Sequence, residues 1–399
     1  MIWKFALRNV LRNRKRTFLT MLTVFFGALL VGLVQAWVNG MINDYIENFT
    51  RYQTGHVRVT TEEFLKREKF MPVDEVITDT AALKETIKSL EGVVRVEERV
   101  QFGILLGHRE KTVQAVGMGL ELSSNPLNLK EKIIKGKFTG KGIYIGYKLA
   151  KKLNVSPGEE LLVATKTSIG GLNGIRVTVA GIFRLGMAYD KRYFFLDMED
   201  TRRLLKLGNT TTALFVYGTS HEDVEKLKAM VKKVIPEEAS VQTYKEQMGE
   251  FYATLETMRS FYTFFEIVVL FLASFVIINT MMMAIFERLR EIGTMKAMGM
   301  TDRQIFFNFT CEGAIIGAAG GIIGAIVGFF IISYFGTRGI DFSTQLENFE
   351  MPIEYVIHPV AQFKDLLIAV AIAIIVPACA AMIPARYARK LMPAEALRK

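Results

Sequence analysis

Segment 287–304 is rich in charged side chains, and it lies between two long apolar stretches, 260–286 and 309–335. Its charges alternate in sign along the chain: Glu287, Arg288, Arg290, Glu291, Lys296, Asp302 and Arg303. This pattern is typical of a helix that faces water or protein, because so many charges within lipid would be costly. Gly299 predicts a helix end, and Thr301 with Gln304 has the form of a capping box that starts the next helix.

The spacing of Ile292, Met295 and Gly299 predicts a shallow apolar face on this short helix. A helix of about 12 residues, roughly 18 Å long, would be tied to an apolar stretch at each end. We therefore expect a push on the segment to move both neighbours, so that it acts as a lever. The alternative interpretation is a solvated loop whose charges only follow the positive-inside rule.

Residues 287–304 also resemble the cytoplasmic coupling segment of ABC transporter permeases of the FtsX/MacB/Lol type. The matching pattern is Glu-Arg-x-Arg-Glu-Ile-Gly-x-x-Lys-Ala-x-Gly, followed by the Gln of the capping box. The resemblance implies that the segment docks on an ATPase subunit. The residues expected to do so are Glu287, Arg288, Glu291, Ile292, Gly293, Lys296, Ala297, Met298 and Gly299.

The composition favours a membrane protein and argues against nucleic-acid binding. The chain has 399 residues, half of them hydrophobic, and a net charge of +10. Residues 1–16 contribute six basic residues and no acidic one, and residues 386–399 contribute a net charge of +4. The whole excess therefore lies beside apolar stretches at the two ends, where the positive-inside rule places it. Membrane lipid is an expected partner; nucleic acid is not.

The apolar stretches predict an α-helical membrane protein with four transmembrane helices and an α+β extracytoplasmic domain. The first stretch is too long for a signal-peptide core, which indicates an uncleaved span. The predicted parts are a cytoplasmic amphipathic helix (1–16), transmembrane helix 1 (17–39), the extracytoplasmic domain (40–259), transmembrane helix 2 (260–286), the cytoplasmic coupling helix (287–304), transmembrane helix 3 (309–335), an extracytoplasmic loop (336–364), transmembrane helix 4 (366–383) and a cytoplasmic tail (384–399).

Within the extracytoplasmic domain, alternating apolar residues and helical spacing predict the order β-α-β-β, an insert at about 125–205, then β-α-β. This order resembles a split ferredoxin-like, porter-type subdomain with an inserted β-rich subdomain. The phrases at 54–57, 142–159, 179–183 and 189–190 resemble the lipoprotein-releasing (LolC/LolE-type) branch of the family. The ending 384–398 resembles the C-terminal phrase of the same permeases.

Two further sets of residues in the apolar stretches are candidate functional positions. A substrate entry is expected at the aromatic outer half of the second span with part of the first: Leu33, Trp37, Phe261, Phe264, Phe265, Glu266 and Phe271. Glu266 is an ionisable residue within a predicted span, which makes it a functional candidate. The favoured interpretation, however, is that its side chain snorkels to water or is hydrogen-bonded to a neighbouring helix. Glycines at i, i+4, i+8 predict close packing against another helix, such as one of a partner permease: Gly313, Gly317, Gly320, Gly321, Gly324 and Gly328. Glu312 is expected to pair with the basic loop.

No catalytic or metal-binding motif is legible. Gly136-Lys-Phe-Thr-Gly-Lys-Gly142 has the wrong spacing for a Walker A loop and no hydroxyl after Lys141. Cys311 and Cys379 fall within predicted spans, and the four histidines have no partner at metal-ligand spacing. We therefore expect no enzyme activity, no metal and no cofactor on this chain, with ATP and Mg²⁺ bound by the partner ATPase.

The resemblance implies a permease subunit in the bacterial inner membrane, with both termini cytoplasmic and the large domain extracytoplasmic. The expected partners are an ABC ATPase dimer, a second permease copy or paralogue, and a lipoprotein or amphipathic substrate extracted from the outer leaflet. The alternatives are a MacB-like efflux or peptide-export permease and an FtsX-like signalling subunit that controls an extracytoplasmic partner. A membrane-anchored binding domain without an ATPase is the simplest rival.

Overall fold

The computed structural model describes residues 2–12, 14–125, 127–221, 223–342 and 356–390. The helices are α1 (Ile2–Arg12), α2 (Arg14–Phe49), α3 (Glu62–Arg67), α4 (Thr80–Lys88), α5 (Leu129–Lys132), α6 (Tyr147–Leu153), α7 (Met187–Arg192), α8 (Met198–Leu205), α9 (Val224–Lys232), α10 (Tyr244–Met248), α11 (Glu250–Glu287), α12 (Leu289–Ala297), α13 (Asp302–Arg338) and α14 (Phe363–Lys390). The strands are β1 (Val57–Thr61), β2 (Val93–His108), β3 (Lys111–Leu120), β4 (Ile133–Gly136), β5 (Ile143–Gly146), β6 (Glu160–Lys166), β7 (Leu172–Phe183), β8 (Tyr193–Asp197), β9 (Ala213–Gly218), β10 (Ala239–Thr243), β11 (Ile340–Asp341) and β12 (Val356–Ile357).

Four helices in the described part of the chain are long and apolar enough to cross a membrane. They are α2 with the π-helical turn that extends it to Thr54, α11, α13 and α14. The first two are longer than a ~30 Å hydrocarbon core requires, since about 20 residues suffice. Helix α2 continues past residue 39, where the first predicted span ends, to Phe49. Gly40 does not end the helix; it allows a close approach, since an added Cβ there would lie 2.3 Å from the His358 carbonyl oxygen.

Residues 1–42, 254–340 and 357–399 make up one compact unit, which contains the apolar helices. Its core is one hydrophobic cluster to which α2, α11, α12, α13 and α14 all contribute. The larger side chains are Ile277, Met281, Ile292 and Phe309, and small alanines of α14 fill the spaces between them. The short coupling segment is therefore packed into the same core as the spanning helices.

Residues 43–253 and 341–356 make up the second unit, which is built on a ten-stranded sheet. Strands β10, β1, β9 and β2 lie side by side in that order, each antiparallel to its neighbour. Each βαβ crossover, β1-α4-β2 and β9-α9-β10, therefore spans one intervening strand, as in a split βαβ arrangement. The predicted β-α-β-β, insert, β-α-β order is present.

The insert is joined to the same sheet, which the sequence did not reveal. Strand β3 pairs in parallel with β8, and β5, β7 and β4 follow outward from β8. The 16-residue strand β2 also pairs with β6 of the insert. Alternate residues of β2 point into the core, where Val100, Phe102, Ile104 and Leu106 are buried with residues of the insert.

Candidate functional site

The coupling helix α12 is bounded by the signals that the sequence contains. Gly299 has φ +94°, a conformation that glycine adopts without strain, and it separates α12 from α13. Thr301 Oγ1 accepts a hydrogen bond from the backbone N–H of Gln304 at 3.3 Å. In return, Gln304 Oε1 accepts one from the backbone N–H of Thr301 at 2.8 Å. This is a complete capping box. Helix α12 has 9 residues rather than the expected 12, because the chain bends at Arg288 before the helix begins.

The residues expected to contact an ATPase divide between two faces of the segment. The exposed ones are Glu287, Glu291, Ala297, Met298 and Gly299. Ile292 and Gly293 are buried in the hydrophobic cluster, and Lys296 is half-buried. Met298 is the most prominent apolar side chain on the outside, with 76% of its surface exposed. Of the expected apolar face, Ile292 and Met295 point into the protein and anchor the helix, whereas Gly299 lies beyond the end of α12 and is exposed.

A network of ion pairs surrounds the start of α12. The buried Arg288 guanidinium lies 3.5 Å from the Glu312 carboxylate on α13 and donates to the Asn9 carbonyl of α1 at 3.2 Å. Arg16 pairs with Glu287 at 3.1 Å and lies 3.8 Å from Glu312. The expected pairing of Glu312 with the basic loop is present. It satisfies two charges that would otherwise be costly to bury.

Further polar contacts hold α12 to its other neighbours. Arg12 of α1 pairs with Glu291, whose side chain is exposed. Lys296 pairs with Asp302 at 2.8 Å and donates to the Arg389 carbonyl near the end of α14. The roles of Arg12 and Arg16 were missed in the sequence, where they were only two of six basic residues near the N-terminus. Residues 391–399, most of the C-terminal phrase, lie outside the described residues.

The glycines of α13 pack against helices of this same chain, on two sides. An added Cβ at Gly317 would lie 2.4 Å from the Ala373 carbonyl oxygen, and one at Gly321 would lie 2.3 Å from the Ala373 Cβ of α14. On the other side, a Cβ at Gly320 would lie 2.6 Å from the Met21 carbonyl oxygen of α2. Gly313 faces α14, whereas Gly324 and Gly328 face α2. The helices that these two rows of glycines contact are therefore α2 and α14 of this chain rather than helices of a partner permease.

The aromatic side chains of α11 are uncovered by the rest of the unit. Phe261, Phe264, Phe265 and Phe271 are all exposed, and the Phe261 and Phe265 rings lie 4.8 Å apart, edge to face. Glu266 is half-buried on the same helix. The other two expected entry residues, Leu33 and Trp37, are half-buried on α2. The helix thus offers an aromatic surface to lipid or to another molecule.

A buried arginine joins the end of the first long helix to the sheet within the second unit. The Arg99 guanidinium on β2 donates to the Arg51 carbonyl at 2.8 Å and to the Tyr52 carbonyl at 3.1 Å. The Glu97 carboxylate forms an ion pair with this guanidinium at 2.8 Å. The guanidinium also donates a hydrogen bond to the Tyr217 hydroxyl at 3.0 Å. These contacts satisfy carbonyls at the helix end, which have no partners inside the helix. Burial raises the pKa of Tyr217 to about 12, so it stays neutral beside Arg99.

Four spanning helices, a short charged helix between two of them and an inserted α+β domain define a membrane protein with an extracytoplasmic domain. Two family models match the chain: the MacB-like periplasmic core domain over residues 17–234 and the FtsX-like permease C-terminal domain over residues 263–393. The chain therefore belongs to the ABC transporter permeases of the FtsX/MacB/Lol type.

Individual relatives are distant. The LolC transmembrane protein of the lipoprotein-releasing system of Xylella fastidiosa is 23% identical over 64% of this chain and 64% of its own length. The macrolide export ATP-binding/permease protein MacB of Vibrio parahaemolyticus is 22% identical over 99% of this chain and 59% of its own length. The chain thus spans less than two thirds of these relatives. The solved periplasmic region of MacB from Actinobacillus actinomycetemcomitans matches 51% of this chain and 96% of its own chain, with 12% identity and a TM-score of 0.36.

Proposed function

We propose that this chain is the permease subunit through which a separate ATPase dimer drives its extracytoplasmic domain to release lipoproteins from the outer leaflet of the inner membrane. The observation that carries the proposal is the two-sided construction of α12. Its inner face is buried in the core of the spanning helices, while Met298 and Glu291 stand exposed on the outside. In this arrangement both termini are cytoplasmic, on the same side as α12.

Force applied to α12 has direct routes into the membrane helices. Ile292 shares one hydrophobic cluster with residues of α2, α11, α13 and α14. Close-packed side chains transmit strain because they cannot be compressed. Just before α12, Arg288 pairs with Glu312 of α13, and Glu287 at the end of α11 pairs with Arg16 of α2. A docked ATPase that shifts α12 would therefore move the spanning helices with it.

The exposed aromatic surface of α11 supports a lipid-anchored or amphipathic substrate. Phe261, Phe264, Phe265 and Phe271 are uncovered in the single chain, and their wholly apolar rings suit contact with the acyl chains of a lipid anchor. A second permease copy or a paralogue placed beside α11 would convert this surface into an enclosed entry. The LolC relative acts in a system named for lipoprotein release, which is the substrate class that we propose here.

Replacing Met298 with aspartate is expected to release the ATPase without unfolding the permease. Met298 is exposed, so aspartate there adds a charge to the outer face and leaves the core unchanged. We expect at least a tenfold drop in the ATPase that copurifies in mild detergent, measured by mass spectrometry. Met298→Leu is the matched control and should retain it. An ATPase that binds Met298→Asp as well as the native chain, or no ATPase at all, would refute the proposed coupling.

Polar substitution of the aromatic surface is expected to block release while ATPase binding persists. The Phe265→Ser/Phe271→Ser variant should accumulate unreleased lipoprotein in the inner membrane and lose copurifying lipid-modified protein. Phe330→Ser on α13 is the matched control, because Phe330 is a similarly exposed aromatic side chain outside the proposed entry. Unchanged lipoprotein sorting in the double variant would exclude this entry. Copurification of a macrolide, a peptide or a cell-wall hydrolase instead would favour export or signalling.

A further inference from the structure

Helix α1 presents an apolar surface that the rest of the chain does not cover. Ala6 and Val10 are buried, and α1 packs against α13. Trp3 and Leu11, by contrast, are 58% and 61% exposed. Because α1 leads directly into the spanning helix α2, this apolar surface lies at a membrane boundary. A helix of this kind rests in the interface between headgroups and acyl chains.

The basic side chains around α1 suit an anionic lipid surface. Arg8, Arg12, Arg14 and Lys15 are all exposed, and the first 16 residues contain no acidic side chain. Each basic residue close to an anionic leaflet is attracted to it. The apolar and basic groups of this surface therefore match the two parts of an anionic lipid, its acyl chains and its phosphate headgroup.

One of these arginines is shared with the coupling helix. Arg12 pairs with Glu291 on α12, and the two side chains are 54% and 48% exposed. An exposed ion pair is weak, and its strength is comparable to the attraction of one arginine to an anionic headgroup. The Arg288–Glu312 pair differs, since those side chains are only 5% and 1% exposed and are shielded from competing ions. Arg12–Glu291 is thus the contact that lipid is able to exchange.

We propose that α1 binds anionic lipid headgroups and that the headgroup phosphate competes with Glu291 for Arg12. Anionic lipid then detaches α12 from α1 at this point while the buried Arg288–Glu312 pair keeps its inner attachment. Lipid composition thereby sets how freely α12 moves relative to α1. The consequence for ATPase coupling rests on the function proposed above, but lipid binding and the change at α12 do not.

The exchange is measured on the full chain without any ATPase. Cys311 and Cys379 are replaced with alanine, and spin labels are placed on Phe5→Cys and Thr294→Cys, two exposed positions on α1 and α12. Distances are recorded by electron paramagnetic resonance in phosphatidylcholine vesicles with and without about 30% phosphatidylglycerol. We expect phosphatidylglycerol to shift the population towards longer distances. Identical distributions in the two lipids would overturn the proposal.

Charge-neutralising variants distinguish the effect of the Arg12–Glu291 pair from the general attraction of α1 to anionic lipid. Arg12→Gln and Glu291→Gln should each show the longer distance already in phosphatidylcholine and respond little to phosphatidylglycerol. Arg14→Gln, which removes the same charge from a residue nearby, should keep the native distance in phosphatidylcholine. If Glu291→Gln kept the native distances and the native response to phosphatidylglycerol, headgroups would not compete with Glu291 for Arg12. An equal shift in distance caused by inorganic phosphate without anionic lipid would also refute the proposal.

Lipid contact itself has a second readout. The chain contains two tryptophans, so Trp37→Phe leaves Trp3 as the only one. Quenching of Trp3 fluorescence by brominated acyl chains should increase at least twofold when phosphatidylglycerol is added. Equal quenching in neutral and anionic vesicles would show that α1 does not recognise the headgroup charge. Both readouts stay informative if no ATPase binds the chain, so failure here is distinguishable from failure of the proposed coupling.

Discussion

Replacing Gly317 and Gly321 together with alanine is expected to separate α13 from α14 and destabilise the membrane unit. The added Cβ atoms would lie 2.4 Å from the Ala373 carbonyl oxygen and 2.3 Å from the Ala373 Cβ. Neither neighbour is a flexible side-chain tip, so the helix backbones must move apart. Overpacking of this kind costs about 1–3 kcal/mol per site. We expect a clear loss of monodisperse protein and a lower unfolding midpoint in detergent.

The matched control is the Gly27→Ala/Gly32→Ala pair on α2. It also adds two methyl groups to a spanning helix, but nothing lies within 4 Å of either added Cβ. This pair should be neutral or slightly stabilising, because alanine favours the helix more than glycine does. Equal unfolding midpoints for the two double variants would contradict the close packing of α13 on α14.

Removing Arg288 is expected to have the largest effect of any single charge substitution in the coupling region. Arg288→Met leaves the buried Glu312 carboxylate with only the more distant Arg16, whose guanidinium lies 3.8 Å away. Removing one partner of a buried ion pair typically costs about 3–5 kcal/mol. We therefore expect Arg288→Met to unfold or aggregate at temperatures where the native chain is intact, as measured by size-exclusion chromatography after heating.

The double variant Arg288→Met/Glu312→Met should recover most of that loss. Two apolar side chains of similar volume carry no desolvation penalty, and such replacements are often neutral. Arg290→Met serves as the control, because Arg290 is exposed on the same segment and its loss should cost little. A single variant as stable as the native chain, or a double variant no better than the single one, would show that the pair does not carry this energy.

Two ion pairs near α12, Arg288–Glu312 and Arg12–Glu291, differ in exposure and therefore in strength. Arg288–Glu312 is shielded from water and fixes the start of α12 to α13. Arg12–Glu291 is open to solvent and is weak enough to be exchanged. An ATPase docked at Met298 would thus act on a helix with a firm inner attachment and a loose outer one.

Local signals allowed much of the fold to be predicted. Four predominantly apolar stretches of sufficient length predicted the membrane helices, since a spanning helix needs mostly apolar side chains over about 20 residues. Gly299 and the Thr301–Gln304 capping box defined the end of α12 and the start of α13, because capping depends on residues within one turn. Alternation and helical spacing predicted the order β-α-β-β, insert, β-α-β, which β1, β2, β3, β9 and β10 follow with the helices between them.

The sequence by itself determined the class of protein, the position of the coupling segment and the residues available for function. Only the tertiary structure decided which neighbours these residues contact, since those neighbours are far away in the chain. The glycine rows of α13 pack on α14 and α2 of the same chain, Ile292 and Gly293 face inward, and Met298 faces outward. Arg12 meets Glu291 across 279 positions of sequence. Hydropathy and spacing specify which face of a helix is apolar, but not which neighbour covers it, because that depends on how all the helices pack together.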